Sequence, residues 1–255
     1  MHAIILRMQR VKDNDAIVDW LLDDDSIVST YAAHIQGTQA YPNGLELMHV
    51  YEVEIVPRPN QDSARLRAAQ GVERFSHIAD ALDAYACASC ALETISNVCP
   101  KDSAVEGLFA NLLAAFAVMD TAPELSTTLL AWIECFVLAH VGALPNLDMC
   151  VQCARPLDKS EWFEQEHGFV CPACARNQAN VPAFVLEALR RLRLQTVRTT
   201  VQNALEKNRD EMQRRRILTP VLRLLAAVAN DNSPFRQKKA HRFMAETVLH
   251  ATDFC

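Results

Sequence analysis

Two Cys-x-x-Cys pairs constrain the fold of this chain more than any other feature of its sequence. The first pair is Cys150 and Cys153, the second is Cys171 and Cys174, and 17 residues separate them. Thiolates at this spacing can occupy the four corners of a tetrahedron, a geometry that Zn²⁺ accepts readily. Because four protein ligands leave no open coordination position, such an ion is structural rather than catalytic. The sequence therefore predicts a Cys₄ zinc ribbon that binds about one Zn²⁺ per chain.

The segment between the two pairs has the pattern of a small sheet. Trp162 and Phe163 read as one short strand, and residues 167–170 read as a second strand that meets the first at a turn. That arrangement is typical of a zinc ribbon. An alternative use of the thiols is redox chemistry, in which a Cys-x-x-Cys pair cycles between thiol and disulfide.

The remaining cysteines have a different sequence environment. Cys87 and Cys90 form a third Cys-x-x-Cys pair, but it lies inside an alanine-rich helical pattern and not at a helix start after a strand. We interpret this pair, together with Cys99 and Cys135, as small buried hydrophobic residues. The odd total of nine cysteines also argues against a framework of disulfides.

The N-terminal residues follow a β pattern. Short apolar runs are separated by turn signals, and residues 51–55 alternate between apolar and acidic side chains. Four or five short strands over this length favour a small barrel that closes on itself. We therefore expect a β-barrel domain over residues 1–78.

The rest of the chain has a helical period, apart from the cysteine-bearing insert. We predict a helical domain over residues 79–148 and 177–255, interrupted by the zinc ribbon at 149–176. The predicted fold class is α+β, with an N-terminal small β-barrel, a following α-helical domain and an inserted Cys₄ ribbon.

Capping residues and prolines predict where the helices begin and end. Helices are expected over 79–98 and 104–119, and residues 200–217 read as a further, charged helix. Proline in the first turn costs no hydrogen bond, because that backbone N–H has no partner within the helix. Helices are expected to begin at prolines, namely Pro123, Pro182, Pro220 and Pro234.

The sequence does not predict a membrane protein. Its longest apolar stretches are too short to cross a bilayer or are interrupted, as Glu134 and His140 interrupt residues 129–141. The N-terminus lacks the basic and long apolar segments of a signal peptide. We therefore expect a cytoplasmic protein without a membrane partner.

Charge is unevenly distributed along the chain. The formal net charge is −6, but residues 176–255 contain 15 basic and 7 acidic groups, whereas residues 80–175 contain 3 and 13. Basic clusters bind nucleic acids by releasing counterions from phosphates, although a solvated helix surface is the alternative interpretation. The clusters comprise Arg190, Arg191 and Arg193, then Arg214, Arg215 and Arg216, then Arg236, Lys238 and Lys239 with Arg242.

No catalytic motif accompanies these features. The sequence contains neither G-x-x-x-x-G-K-S/T nor G-x-G-x-x-G, and its eight histidines form no metal-binding pair at i, i+4. The three aspartates at 23–25 lack the ligand spacing of a calcium loop and read as a turn. We therefore expect neither an enzyme nor a small-molecule substrate.

Several motifs together resemble the bacterial RecO recombination-mediator family. The most specific is Gly-x-x-Pro-x-Leu-x-x-Cys-x-x-Cys, which runs from Gly142 to Cys153. Further similar stretches are residues 3–7 with Asn14 and Asp15, Tyr85 with Leu92 and Glu93, residues 132–134, Phe163, and residues 168–174.

The resemblance implies a DNA repair and recombination mediator with structural Zn²⁺ and an OB-fold barrel. Members of the family bind single- and double-stranded DNA, anneal complementary strands, and engage the acidic C-terminal tail of single-strand binding protein. With their RecR partner they help to load recombinase onto coated single strands. A nucleoid-associated protein without catalytic residues is therefore implied.

One segment departs from the family's pattern. Members carry a basic stretch after the third strand, whereas residues 32–40 contain no positive charge here. The barrel keeps Arg7, Arg10 and Lys12 near its start. We expect DNA or the acidic tail to contact these three residues or the later arginines, which are Arg190, Arg191, Arg193, Arg214, Arg215 and Arg216.

Two other functions stay open at this point. One is a scaffold of the same family that has weakened DNA binding and acts mainly through protein contacts. The other is a redox protein that uses its Cys-x-x-Cys pairs. Absence of salt-sensitive DNA binding would favour the first, and reversible thiol–disulfide cycling would favour the second.

Overall fold

The fold is given by a computed structural model of the chain. The structure describes residues 1–248 except 13, 36–39, 43, 60–62, 102–103, 158–160, 165–167, 176–178, 207–210 and 233–238.

Five strands close into a barrel at the N-terminus. They are β1 (His2–Lys12), β2 (Asp15–Leu22), β3 (Ile27–Ala32), β4 (His49–Val56) and β5 (Ala64–Arg74). Their order around the barrel is β1-β2-β3-β5-β4, with β3 and β5 parallel and the other described pairs antiparallel. This is the five-stranded Greek-key barrel of an OB-fold, and the predicted barrel is confirmed.

The alternation of side chains along the barrel strands serves two cores. Ile5 and Trp20 lie inside the barrel, whereas Ile4 and Leu6 belong to the larger core that the helices form. Successive strand residues point to opposite faces, so one strand can contribute to both. The indole nitrogen of Trp20 donates to the hydroxyl of Thr30 at 2.8 Å, which satisfies the polar atom of this fully buried barrel residue.

Eight α-helices follow the barrel among the described residues. They are α1 (Ser76–Asp80), α2 (Leu82–Val98), α3 (Leu108–Thr121), α4 (Ser126–His140), α5 (Ala183–Arg193), α6 (Val197–Glu206), α7 (Glu211–Asp231) and α8 (Lys239–Thr247). The central helices α2 and α4 pack on each other, and α2 also contacts β1 of the barrel. No helix in the described part of the chain is both long and apolar enough to cross a membrane.

Two predicted helices have different boundaries in the structure. The predicted helix 79–98 is divided, because Ala81 is extended, with φ −107° and ψ 108°, between α1 and α2. The predicted helix 104–119 begins only at Leu108, since Gly107 adopts a left-handed conformation with φ +75°. A short 3₁₀ turn at Pro123–Leu125 precedes α4, so Pro123 opens this region as predicted.

The prediction that Pro220 begins a helix is wrong. Helix α7 contains Pro220 in its interior, where proline removes one backbone hydrogen bond. Val221, Leu222 and Leu225 are fully buried beside it, and their burial offsets the lost bond. The predicted helix 200–217 is replaced by α6 and α7, whereas Pro234 lies outside the described residues.

The insert forms a second, smaller sheet. Strands β6 (Glu161–Glu164) and β7 (Gly168–Val170) pair antiparallel as predicted, and β8 (Ala179–Val181) pairs with the other edge of β6. This third strand lies beyond residue 176, where the ribbon was expected to end. A barrel, a helical bundle and a cysteine-bearing insert confirm the predicted fold class.

The aspartate turn between β2 and β3 fastens the barrel to the helices. Asp24 accepts hydrogen bonds only from Ser26 within the turn, among the bonds that the structure records. Asp25 instead accepts from the backbone N–H groups of Gly107 at 2.7 Å and Phe109 at 2.8 Å. Those groups lie at the start of α3, so Asp25 caps this helix from another part of the fold.

Replacement of Asp25 by glycine is expected to lower the free energy of unfolding by about 1–2 kcal/mol. Glycine tolerates the left-handed backbone of this position, φ 67°, so the loss reports mainly the missing cap. Urea denaturation gives the free energies. The matched control is Asp24→Gly, which should lower the free energy of unfolding by less. An equal loss in both variants would contradict a role for Asp25 in joining the barrel to the helices.

Candidate metal centre and docking groove

The four cysteines of the insert converge on one point. Cys150 and Cys153 lie in the loop after α4, and Cys171 and Cys174 lie in the turn after β7. Their four sulfur atoms are all within 4.8 Å of one another, and Cys153 and Cys171 are 3.7 Å apart. The spacing in the sequence therefore brings together four potential ligands, as expected.

Backbone hydrogen bonds shape the first pair into a tight knuckle. The N–H of Cys150 donates to the carbonyl of Arg155 at 2.8 Å, and Ala154 donates back to Cys150 at 2.9 Å. Ala154 adopts a left-handed conformation with φ 55°. Where the two ends of the loop meet, the N–H of Leu157 donates to the carbonyl of Asp148 at 3.0 Å. The loop thus returns on itself and holds the sulfur of Cys150 toward the second pair.

The electrostatics of the cluster favour thiolates at Cys150 and Cys171, because the pKa of each is lowered. Burial acts to raise the pKa of Cys150, but backbone N–H donors of Cys171, Cys153 and Gln152 lower it to about 6. The Cys171 N–H donates to the Cys150 sulfur at 3.3 Å. Hydrogen bonds with the thiols of Cys153 and Cys171 raise the pKa of Cys174 to about 12, so the cluster retains a proton unless a cation replaces it.

This donor set suits a soft or borderline divalent cation. Four sulfur ligands with two stabilised thiolates match the tetrahedral Cys₄ sites that bind Zn²⁺. A metal there would cross-link the loop after α4 to the turn after β7. Its chemical role would be structural, because no coordination position remains for a substrate.

Gly168 permits the close contact between the two halves of the insert. It begins β7 with φ +113°, a conformation that side-chain-bearing residues rarely adopt. An added Cβ would lie 3.1 Å from the Pro145 side chain and 3.3 Å from that of Val151. Both the backbone and the space therefore require glycine here.

Gly168→Ala is expected to lower the free energy of unfolding by about 1–3 kcal/mol, from backbone strain and the two short contacts. The measurement is the thermal unfolding midpoint with Zn²⁺ present. Gly71→Ala serves as control, since an added Cβ meets nothing within 4 Å at that exposed strand position. Equal midpoints for the two variants would contradict the required approach at Gly168.

The predicted basic residues lie in different environments. Arg190 and Arg193 turn toward the loop that carries Cys150 and Cys153, where both approach the carboxylate of Asp148, at 3.4 and 3.1 Å. Arg191 pairs with Glu187 one turn earlier at 2.8 Å. The first cluster is therefore only partly available to an outside partner.

The other predicted basic residues are dispersed. Arg7 is half-buried on β1 and donates to Gln9 at 3.1 Å, and Arg10 is exposed on the same strand. The side chains of Lys12 and of Arg214, Arg215 and Arg216 lie outside the described part of the structure, although their backbones belong to β1 and α7. The described positions do not form one continuous site.

A groove of about 460 Å³ opens between α5, α6 and α7. Arg191 and Glu187 lie at its edge. Its apolar wall comprises Phe184, Ala188, Leu192, Ala204, Ile217 and Leu218. Phe184 is 44% exposed, so the groove offers an accessible apolar surface with a cation beside it. The sequence indicated Phe184 as an aromatic residue near the basic cluster, but not the groove.

The sequence did not reveal an aromatic–cation pair on the barrel. Arg58, which follows β4, lies over the ring of Tyr31 on β3, with 5.7 Å from its guanidinium carbon to the ring centroid. The Tyr31 hydroxyl donates to Asp15. An aromatic ring beside a cation is a common platform for nucleic acid bases. The two residues are 27 positions apart in the sequence, so only the fold brings them together.

A buried ionic cluster was also missed. His241 of α8 contacts Glu93 of α2 through Nδ1 at 2.9 Å and Glu134 of α4 through Nε2 at 2.7 Å. Thr94 donates to Glu134 at 3.1 Å. Burial acts to lower the pKa of His241, but the carboxylates of Glu134 and Glu93 outweigh it and raise it to about 10. A carboxylate inside an apolar helix, as at Glu134, is the signal that the sequence offers.

The interpretation of four cysteines as buried hydrophobic residues is confirmed. Cys87, Cys90, Cys99 and Cys135 are all buried. Burial raises the pKa of both Cys99 and Cys135 to about 12, which leaves these two thiols unreactive at neutral pH. All four positions are therefore part of the apolar core.

Comparison with known proteins gives consistent matches. Residues 79–224 match the family model described as "Recombination protein O C terminal". The chain is 28% identical to a protein named DNA repair protein RecO from Dehalococcoides mccartyi over 188 residues, 72% of each chain. The protein of that name from Myxococcus xanthus is 28% identical over 195 residues, which cover 74% of this chain and 79% of the relative.

Proposed function

Since the chain belongs to the RecO family of DNA repair proteins, we propose that it is a recombination mediator that binds DNA. It would anneal complementary strands and, with RecR and single-strand binding protein, assist recombinase loading. The observation that carries this proposal is the excess of positive charge in residues 176–255, with 15 basic and 7 acidic groups. A basic surface of this kind supplies sequence-independent affinity for phosphates.

The DNA contacts are proposed from the exposure of the described side chains and, for the start of α7, from the basic cluster in the sequence. Arg198 on α6 and Arg10 on β1 are exposed, and Arg58 is half-buried above Tyr31. We assign Arg10, Arg58, Arg198 and the three arginines at the start of α7 to DNA, and treat Lys12 and Arg7 as secondary contacts. Arg190 and Arg193 are proposed to contact DNA weakly, because both already form ion pairs with Asp148.

The metal assignment and the domain division belong to the same proposal. Structural Zn²⁺ on the four clustered cysteines would fix the insert, which cannot bury a core by itself. We propose three units, namely the barrel at 1–78, the helical domain at 79–148 and 177–255, and the ribbon at 149–176. The unit that contacts DNA would be mainly the helical one.

Salt-dependent binding tests the proposal. Binding of a fluorescent single-stranded oligonucleotide should weaken steeply between about 50 and 200 mM salt, by about 0.7 logarithmic units per phosphate contact for each tenfold rise in salt. Arg198→Glu should weaken binding and reduce the slope. The control is Arg67→Glu, because Arg67 is not among the residues assigned to DNA and is paired with Glu54 at 2.8 Å. No binding at low salt, with no annealing, would reject DNA mediation.

A second function is favoured by the groove. A scaffold that acts mainly through protein contacts would bind the acidic tail of single-strand binding protein there, since an apolar groove beside Arg191 suits an acidic, apolar peptide. A labelled tail peptide should bind, and Arg191→Glu should weaken peptide binding but not DNA binding. Peptide binding without any DNA binding would favour the scaffold over the mediator.

A further inference from the structure

The side chain of Arg190 joins helix α5 to the metal-binding loop. Its Nε and Nη2 atoms donate to the carbonyl of Leu147 at 3.0 and 2.7 Å, and Nη2 also donates to the carbonyl of Leu157 at 2.8 Å. Only 24% of the side chain is exposed. Arg190 is thus committed to two backbone carbonyls of one loop.

Leu147 and Leu157 flank the knuckle that contains Cys150 and Cys153. Both leucines are buried in the main core. Since one guanidinium binds both carbonyls, it holds the two ends of the loop together. A planar fork with several donors can bridge two carbonyls in this way, whereas a single ammonium group cannot reproduce the geometry.

The other side of α5 lines the groove. Ala188 lies about 160° around the helix from Arg190, and it forms part of the groove wall. Beyond the last turn of α5, the carbonyl of Gln195 accepts from the indole nitrogen of Trp132 at 3.0 Å. The helix therefore has one side that contacts the cysteine-bearing loop and another that lines the groove.

We propose that Arg190 is a positioning residue that couples metal occupancy to the order of α5, and so to the groove. The inference rests on the proposed metal site. A metal holds Cys150 and Cys153 against Cys171 and Cys174. Without it the loop ends can separate, and Arg190 then loses the carbonyls that position it. The helix loses this one of its attachments at the same time, while Val185, Leu186 and Leu189 stay in the core, so the groove wall becomes less ordered.

Two measurements on the full chain test this coupling. The first is the rate at which Zn²⁺ passes to a chromophoric chelator, expected to rise about tenfold in Arg190→Gln, the scale on which residues supporting metal ligands act. The second is hydrogen exchange of the α5 amides, expected to rise about tenfold when Zn²⁺ is removed from the unmodified protein. In Arg190→Gln, exchange should already be fast and respond little to Zn²⁺ removal. Arg67→Gln, a loss of the same charge on the barrel, should keep the unmodified rates of Zn²⁺ release and of α5 exchange.

Arg190→Lys separates positioning from charge and remains measurable if Arg190→Gln does not fold. It should release Zn²⁺ as fast as the glutamine variant, because lysine keeps the charge but not the fork. If Arg190→Lys releases Zn²⁺ at the same rate as the unmodified chain, the inference is overturned. It is also overturned if hydrogen exchange of the α5 amides is unchanged when Zn²⁺ is removed from the unmodified protein. An unmodified protein that binds no Zn²⁺ overturns the metal site and the coupling together. It leaves the proposed DNA binding untouched, because the salt-dependent oligonucleotide assay tests that proposal on its own.

Discussion

Serine in place of both Cys150 and Cys171 is expected to abolish Zn²⁺ binding and to lower the thermal unfolding midpoint by about 10 °C or more. The effect is large because the insert contributes to the main core. Phe169 and Val170 are fully buried there beside Leu147. Without a metal that joins the two cysteine pairs, strand β7 is no longer held against the loop after α4, and these side chains lose their packing in the core.

Elemental analysis and calorimetry on the same samples measure this effect. The unmodified chain should hold about one Zn²⁺. Cys135→Ala is the matched control, since it removes a buried thiol outside the cluster and should leave Zn²⁺ content unchanged. A folded unmodified protein with no metal and four titratable thiols in the insert would contradict the prediction.

The sequence predicted the cysteine cluster because its ligands follow a local pattern. Two Cys-x-x-Cys knuckles need only a short hairpin between them, so spacing alone brings four sulfur atoms within 4.8 Å. The barrel was equally accessible, since the alternation of residues 51–55 lies within the strand β4. Features encoded over a few consecutive residues can thus be predicted from the amino-acid sequence alone.

Features that depend on tertiary packing cannot be predicted in this way. Pro220 looked like a helix start, yet the burial of Val221 and Leu222 keeps it inside α7. The expectation that Arg190 contacts DNA came from its basic sequence neighbours, whereas the carbonyls that it binds belong to residues 43 and 33 positions earlier. Charge patterns show that cations are present, whereas only the fold shows which of them already have partners.

Two acidic side chains cap helices from other elements, and neither follows from sequence. Asp25 caps α3 from the barrel. Glu93 of α2 accepts from the backbone N–H groups of Ala240 and His241, at 3.2 and 3.3 Å, in the first turn of α8. Such caps connect elements that are 82 and 147 residues apart. The carboxylate of Glu93 also contacts the His241 ring. Among single substitutions, we expect the largest loss of unfolding free energy at His241.

His241→Ala is expected to lower the free energy of unfolding by about 3–5 kcal/mol, because it leaves the fully buried carboxylate of Glu134 without its cation. Glu134 is fully buried, and its Oε2 atom has no hydrogen-bond partner among the described residues. Urea denaturation at about pH 6.5, near the ordinary pKa of histidine, measures the loss. His140→Ala is the control, since His140 is exposed and contacts Phe136 of its own helix. Equal losses for both variants would contradict the role of the cluster.

The same cluster predicts a pH dependence with a defined sign. The pKa of His241 is raised to about 10 in the folded chain, against about 6.5 for an unperturbed histidine. Between these values the folded state binds more protons than the unfolded state, so this contribution is complete below about pH 6.5 and is lost as the pH approaches about 10. The difference in unfolding free energy between the unmodified chain and His241→Ala should therefore shrink from about pH 6.5 to about pH 9.5. A difference that is constant over this range would mean that His241 stabilises α8 by packing alone.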